Sequence, residues 1–162
     1  MDFSFSHHFN APRGAVANAL LDEGYQRSLD GIGPLKKREI LAQTGGGGGQ
    51  VVRRTRCVLG TDLGAAKRFL GDAEPAWVEE ATWDPGRHRW QWVIHPEVGA
   101  DLLSAAGSIE LHDGDGGTMR RVQGAVKVRV PLYGGRVENI IVKNLEQTYA
   151  DEATRLAKWL AT

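Results

Sequence analysis

Two neighbouring segments of the chain combine tryptophans with side chains that can exchange protons. Alternate residues of a β-strand point to the same face of a sheet, so Glu79 shares a face with Trp77. By the same rule, His88 shares a face with Trp90, and Arg53 lies on an alternating face of a third segment. If the tryptophans point inward, a carboxylate, an imidazole and a guanidinium enter an apolar cavity. There they could catalyse acid–base chemistry or anchor the polar end of a ligand.

The same pattern also fits an ordinary hydrophobic core. Tryptophans would then simply fill the interior, and Glu79 would pair with Arg53 or lie at the rim, because charged side chains are seldom buried alone. Cys57 lies in a strand pattern and is more often a small buried residue than a nucleophile. No serine lies in a G-x-S-x-G nucleophile elbow. The sequence therefore assigns no catalytic residue.

The histidines do not have the spacing of metal ligands. His7 and His8 are adjacent, and His88 and His95 are an odd number of residues apart, so each pair faces opposite sides of a strand. Asp113 opens a DGDGG segment that is similar to the start of a calcium loop, but the twelfth position is glycine where glutamate is needed. We expect a hairpin turn there, no metal ion and no covalent cofactor.

The composition is that of one soluble globular domain, which we expect to span residues 1–162. The 20 Lys and Arg residues balance the 20 Asp and Glu residues, which argues against nonspecific binding to nucleic acid or acidic membranes. The basic clusters 36–38, 53–56 and 120–121 alternate between faces, so we expect them on the solvated side of a sheet. Because the first ten residues lack a basic region followed by an apolar run, we expect no secretory signal there, and no apolar run approaches the ~18 residues of a membrane span. We therefore expect a cytoplasmic protein.

The elements that must position these residues are clearest at the end of the chain. From Val137, apolar residues recur every three or four positions and predict an amphipathic helix of about 26 residues. Pro12 predicts a short helix that ends at Leu21, and a further short helix near Asp30 is possible. Alternating apolar and polar residues, bounded by turn signals, predict seven strands. These are 3–9, 35–44, 50–59, 77–83, 88–94, 103–111 and 119–130.

This order predicts an α+β fold in which a strongly curved, seven-stranded antiparallel sheet wraps around the long C-terminal helix. Strands joined by hairpins have one apolar face, and the helix supplies one apolar stripe to cover it. A single helix covers only a few strands well. We therefore expect a hollow between the helix and the sheet.

Both ends of the chain resemble a known superfamily. The segment FSFSHHFNAPRGAVANALLDEGY is similar to the first strand and helix of the START-like (SRPBCC) superfamily, also called the birch-pollen-allergen or polyketide-cyclase-like helix-grip fold. VKVRVPLYGGRVENII, from Val126 to Ile141, resembles the branch called domain of unknown function 2505, with a Pro-hydrophobic-x-Gly-Gly turn and a helix that opens with basic, aliphatic and Glu residues. The resemblance implies a cavity for lipids, sterols, polyketides or similar molecules. Some members are cyclases or aromatases, but the branch implies no established activity.

Three functions remain open on this basis. The protein could carry or sense a small hydrophobic molecule, which we expect, or act as a cyclase or aromatase through Glu79 or His88. It could also be a filled domain that binds protein partners, and a structure with no cavity above about 300 Å³ would favour this third function. We expect no nucleic-acid partner, no membrane insertion, and a monomer or homodimer. The predicted ligand-binding residues are Trp77, Glu79, Trp90, Trp92, Val126, Val128, Ile141, Leu145 and Tyr149.

Overall fold

The computed structural model describes residues 1–60 and 67–162. In these residues seven strands form one antiparallel sheet. They are β1 (Asp2–Phe9), β2 (Leu35–Gly45), β3 (Val51–Leu59), β4 (Ala76–Asp84), β5 (Arg89–Pro96), β6 (Leu103–Gly114) and β7 (Gly117–Val128). The described helices are α1 (Arg13–Leu21), α2 (Glu23–Arg27), α3 (Lys67–Leu70) and α4 (Gly134–Leu160). None of these helices has the length and apolar character needed to cross a membrane.

The strand order across the sheet is β1-β7-β6-β5-β4-β3-β2. Each strand from β2 to β6 pairs with the next one along the chain, and β1 pairs with β7. The sheet stays open, with β1 and β2 as its two edges. The predicted α+β fold, with a seven-stranded antiparallel sheet and a long C-terminal helix, is confirmed.

Helix α4 is 27 residues long and lies against β7 and β1. Its first turn is tied to the end of β7, because the Glu138 carboxylate accepts the backbone N–H of Val128 at 2.9 Å. The amino terminus of the chain lies beside it, with its nitrogen 3.6 Å from Glu138 Oε1. This hydrogen bond, and after it the positive charge of the amino terminus, lowers the pKa of the Glu138 carboxyl group. The helix is thus anchored at one side of the sheet, and the strands from β2 to β6 are free to stand away from it.

A pair of glycines fixes the position of one tryptophan in the middle of the sheet. Gly107 of β6 and Gly124 of β7 are register partners, and Trp92 of β5 is the partner of Gly107 on the other side. A methyl group added at Gly124 would lie 2.8 Å from Trp92 Cζ2, closer than packed atoms approach. The two glycines therefore leave the space in which the indole lies.

Strand β2 departs from the predicted regular alternation. Its register with β3 shifts between Leu35 and Lys37 and again between Ile40 and Ala42. A β-bulge of this kind places two residues opposite one and changes which side chains face inward. In a regular strand Leu35 and Arg38 would face opposite sides of the sheet, because they are three residues apart. The shifts in register instead place both side chains in the wall of the interior cavity.

Candidate functional site

A cavity of about 210 Å³ lies between α4 and the inner face of the sheet. Along α4 its wall changes from Val137 and Ile141 to Glu152, a distance of roughly 22 Å at 1.5 Å per residue. One end is therefore apolar and the other is polar. Further apolar wall residues are Leu59, Ala76, Ile94, Leu103 and Val128. The charged and amide wall residues are Gln26, Arg38, Arg53, Glu79, Arg120, Asn144 and Glu152.

Seven of the nine predicted ligand-binding residues line this cavity. They are Trp77, Glu79, Trp92, Val128, Ile141, Leu145 and Tyr149. The prediction needs correction for Trp90 and Val126, which are buried in the core outside the cavity wall. The Arg53 guanidinium lies over Trp90, with Arg53 Cζ 4.5 Å from the centre of the indole ring. The alternation of a strand predicts on which face of the sheet a side chain lies, but it does not predict which other side chains pack over it.

The polar end of the cavity contains a buried ion pair between Arg120 and Glu152. Tyr25 donates its hydroxyl proton to Glu152 Oε1 at 2.7 Å, and Arg120 Nη2 also lies 3.2 Å from His7 Nδ1 and 3.3 Å from the Tyr149 carbonyl oxygen. Burial, together with the Glu152 charge, raises the pKa of Tyr25 well above its ordinary range. The tyrosine is therefore a permanent donor at neutral pH. The ion pair is thus held by hydrogen bonds from three separate elements.

Two further guanidiniums reach the same end and have no carboxylate partner among the described residues. Arg53 is 7% exposed, and its Nη1 donates to the Leu20 carbonyl oxygen at 2.8 Å. Arg38 donates to Gln26, through Nη1 to the carbonyl oxygen at 2.8 Å and through Nη2 to Oε1 at 2.7 Å. Burial, and next the charge of Arg38, lowers the pKa of Arg53 to about 10. Arg53 therefore remains charged at neutral pH.

Four side chains that line the cavity each carry a buried N–H group that has no hydrogen-bond partner in the described structure. They are Arg53 Nε, Arg120 Nε, Trp92 Nε1 and Asn144 Nδ2. Buried polar groups are nearly always hydrogen-bonded, and each one left without a partner costs about 1–3 kcal/mol. The arrangement therefore has a surplus of donors at a place where a bound molecule could supply acceptors.

Glu79 and His88, the two candidate acid–base residues, have different positions. Glu79 is half-buried in the cavity wall and forms no ion pair or hydrogen bond with the described residues. Of the two alternatives for a filled core, the Glu79–Arg53 pair is therefore not formed among these residues. His88 lies outside the cavity, in the turn before β5, where its φ of 49° interrupts the alternation of the strand. Its ring packs on Trp83 at 6.3 Å, and the prediction that it points into the cavity was wrong.

His88 belongs to a second hollow of about 420 Å³, bounded by α1, the turn before β5 and the five-glycine loop between β2 and β3. Much of that wall is glycine backbone, which offers few side chains to hold a ligand. Among the described residues, no group of three His, Cys, Asp or Glu side chains is placed to hold a metal ion. The cavity beneath α4 is therefore the better candidate site.

The family model described as a protein of unknown function (DUF2505) matches residues 4–160. The chain belongs to this family. The match covers β1 from Ser4 onward, the other six strands and all of α4, so it includes the entire described cavity wall. A comparison with curated proteins finds no match.

Solved structures show that this DUF2505 protein has a START-like fold, as predicted. TTHA0849 from Thermus thermophilus is 17% identical with a TM-score of 0.71, covering 99% of this chain and 97% of that chain. The Zhui aromatase/cyclase from a Streptomyces species is 14% identical with a TM-score of 0.69, covering 99% and 93%. A START superfamily protein from Mycobacterium smegmatis is 14% identical with a TM-score of 0.60, covering 99% and 97%. At these identities the fold is shared, and no activity follows from it.

Three charged residues of the DUF2505 cavity were missed or misplaced by the sequence analysis. Arg38 and Arg120 were predicted to lie on the solvated face, and Glu152 was not singled out. The signal for Arg120 was present, because it has the same strand parity as Val122 and is fully buried beside it. Glu152 likewise lies on the apolar stripe of α4, three residues after Tyr149. A charged residue at an apolar position of a pattern was the available indication of a polar site.

Proposed function

We propose that this protein binds a compact hydrophobic molecule in the cavity between the sheet and α4. The observation that carries the proposal is the cavity itself, with an apolar wall at one end and four unpartnered donors in the remainder. An empty space of this kind forfeits packing contacts and leaves polar groups unsatisfied. A bound molecule would offset both costs.

The size of the cavity limits the ligand. Its volume of about 210 Å³ exceeds the ~150 Å³ of an apolar cavity that binds benzene, but it is below the ~300 Å³ at which drug-sized pockets begin. One or two fused rings fit these limits, whereas a sterol or a long lipid chain would require the helix and sheet to separate. Among the predicted ligand classes, a small polyketide-like aromatic molecule is therefore favoured.

Native mass spectrometry of the protein purified from its own host tests this proposal. We expect a discrete adduct that disappears on denaturation, with a mass consistent with one or two rings. The variant Ile141→Trp, which adds an indole to the apolar wall, should lose the adduct, whereas Lys143→Trp on the exposed side of α4 should keep it. The absence of an adduct from all three proteins would instead favour the filled, partner-binding domain.

A cyclase or aromatase activity in the same cavity is the second candidate, and Glu79 is the observation that favours it. Its carboxylate lies in the wall without a protein partner among the described residues, as a group that accepts a proton from a bound substrate would. Glu79→Gln separates the two functions. A carrier should still bind its ligand in this variant and have no turnover to lose, whereas an enzyme should bind and fail to convert.

A further inference from the structure

We propose that the cavity selects hydrophobic molecules that carry a carboxylate, and that Arg53 and Arg38 bind this group at the polar end. This inference rests on the proposed function, because it names the chemical class of the molecule that the same cavity binds. It follows from three independent features: the pairing of the arginines, the unpartnered donors and the charge of the cavity wall.

On β3 the outward-pointing arginines have carboxylate partners and the buried arginine has none among the described residues, which is the opposite of what burial leads one to expect. Arg54 and Arg56 point outward and lie beside carboxylates, with Arg54 3.8 Å from Glu80 and Arg56 2.8 Å from Glu97. Arg53, which precedes Arg54 in the strand and is buried, has only carbonyl and amide oxygens as partners. A buried charge normally requires an opposite charge far more than an exposed one does. The buried guanidinium is therefore the one that lacks its counter-ion among the described residues.

The other arginine of the interior shows what such a partner looks like. Arg120 lies in the same cavity wall and is paired with Glu152, so the fold can place a carboxylate beside a buried guanidinium. Arg38, like Arg53, has no such partner in the described residues, and its charge contributes to the lowered pKa of Arg53. Two like charges near one another, both facing a cavity, attract an anion more strongly than either would alone.

The unpartnered donors fit the same group. A carboxylate accepts about four hydrogen bonds through its two oxygens, and an arginine fork can bind both oxygens at once. Arg53 lines the cavity, and its Nε is buried and has no partner in the described part of the chain. A carboxylate that reached this edge of the guanidinium would supply both a hydrogen-bond acceptor and the opposite charge. An alcohol would supply only an acceptor, and a hydrocarbon would supply neither.

The summed charge of the wall also favours an anion. Its ionisable acid and base side chains include three guanidiniums, of Arg38, Arg53 and Arg120, against two carboxylates, of Glu79 and Glu152. With Arg120 and Glu152 paired, the two remaining guanidiniums face the single charge of Glu79. That carboxylate lies two residues along β4 from Ala81, the register partner of Arg53, so it reduces the positive potential without cancelling it.

Matched ligand pairs test the proposal by isothermal titration calorimetry at pH 7.5. The probes are benzoate with benzyl alcohol, and 2-naphthoate with 2-naphthylmethanol, so that each pair differs only in its polar group. We expect the carboxylate of a pair to bind about ten- to a hundredfold more tightly, as charge-assisted hydrogen bonds provide. This preference should fall to within about threefold in Arg53→Gln. The control Arg54→Gln, one residue away on the outer face, should keep the full preference.

The outcomes separate this inference from the function on which it rests. Equal binding of carboxylate and alcohol by the unaltered protein would overturn the inference and leave the proposed function standing. Binding of neither member of either pair, together with no native adduct, would overturn both. Because Arg53 packs on Trp90, its variant could fail to fold. Arg38→Gln, on a half-buried edge-strand residue, then carries the same test, and a preference unchanged in that variant would contradict the assignment.

Discussion

Replacing Glu152 with glutamine removes the charge that offsets Arg120 inside the protein. Arg120 is 1% exposed and Glu152 is 7% exposed, and Glu152 also accepts the hydroxyl proton of Tyr25. Removing one partner of a buried ion pair costs about 3–5 kcal/mol, because the other charge stays buried alone. A domain of this size loses about 2–4 °C of Tm per kcal/mol. We therefore expect Glu152→Gln to lower Tm by about 6–20 °C, from a total stability of about 5–15 kcal/mol.

Urea denaturation followed by far-ultraviolet circular dichroism measures this loss as a lower midpoint with an unchanged m-value. Glu146→Gln is the matched control, since Glu146 is exposed on the same helix. It should change the free energy of unfolding by less than about 0.5 kcal/mol. If Glu152→Gln costs less than about 1 kcal/mol, as an exposed pair would, the argument from burial is refuted.

A double replacement separates the lone charge from lost packing. Arg120→Met combined with Glu152→Leu removes both charges and keeps apolar volume in their place. Because neither ion then requires desolvation, the double variant should recover most of the stability lost in Glu152→Gln. A double variant that is less stable than Glu152→Gln would show that the hydrogen bonds to Tyr25 and His7, and not the unpaired charge, dominate.

Three further predictions concern single residues around the cavity. Burial, and second the neighbouring Arg120 guanidinium, lowers the pKa of His7 from 6.5, so the unfolded chain binds this proton more tightly than the folded protein does. The free energy of unfolding should therefore be highest above pH 6.5 and should fall on acidification toward the lower folded pKa. In urea titrations His7→Gln should flatten this pH dependence, whereas the control His95→Gln should not. Gly124→Ala should cost about 1–3 kcal/mol in urea denaturation and weaken probe binding, because its methyl group would meet the Ala106 carbonyl oxygen at 2.5 Å and Trp92 Cζ2, in a cavity-lining side chain, at 2.8 Å. Burial raises the pKa of Cys57 from 9.0 to about 12, so alkylation by iodoacetamide at pH 8 should be about a thousandfold slower in the folded protein than in urea.

Each of these three has an outcome that contradicts it. A pH slope that persists in His7→Gln would assign it to other groups. Gly114→Ala places a methyl group in open space, so an equal loss of probe binding in that variant would remove Trp92 from the explanation. Alkylation of folded Cys57 within about tenfold of the unfolded rate would mean that the apolar wall admits water and reagent freely.

The fold was predictable wherever one face of an element is buried. In β7 the apolar residues Val122 and Val126 alternate with polar ones, and the structure buries both. The stripe of α4 was equally clear, although the helix begins three residues before Val137 because Gly134 can approach β7 closely. The four-residue α3 carries too few residues to show a period, and it was not predicted. Periodicity predicts long elements and fails for short ones.

The site was predictable in part, and the errors have physical causes. Parity correctly placed Trp77 and Glu79 toward the interior side of β4, since a regular strand preserves it. It failed at His88, where a positive φ ends the alternation, and at Arg38, where bulges shift it. Arg120 obeyed parity and was still misplaced, because an arginine was assumed to be solvated. Backbone irregularity and buried charge are both tertiary features that a single sequence does not display.

The polar end of the cavity links stability to binding. Arg53 is almost fully buried, yet it receives only neutral oxygens as partners among the described residues, so its desolvation is incompletely offset in the empty protein. A ligand carboxylate would supply the missing opposite charge and would bind the folded state alone. Its effect on unfolding must then follow RT ln(1 + [L]/Kd), or about 2.7 kcal/mol at a hundredfold excess over Kd. The guanidinium whose desolvation is incompletely offset in the empty protein is therefore stabilised when a carboxylate binds, and Arg53→Gln should reduce this ligand-dependent gain in the free energy of unfolding.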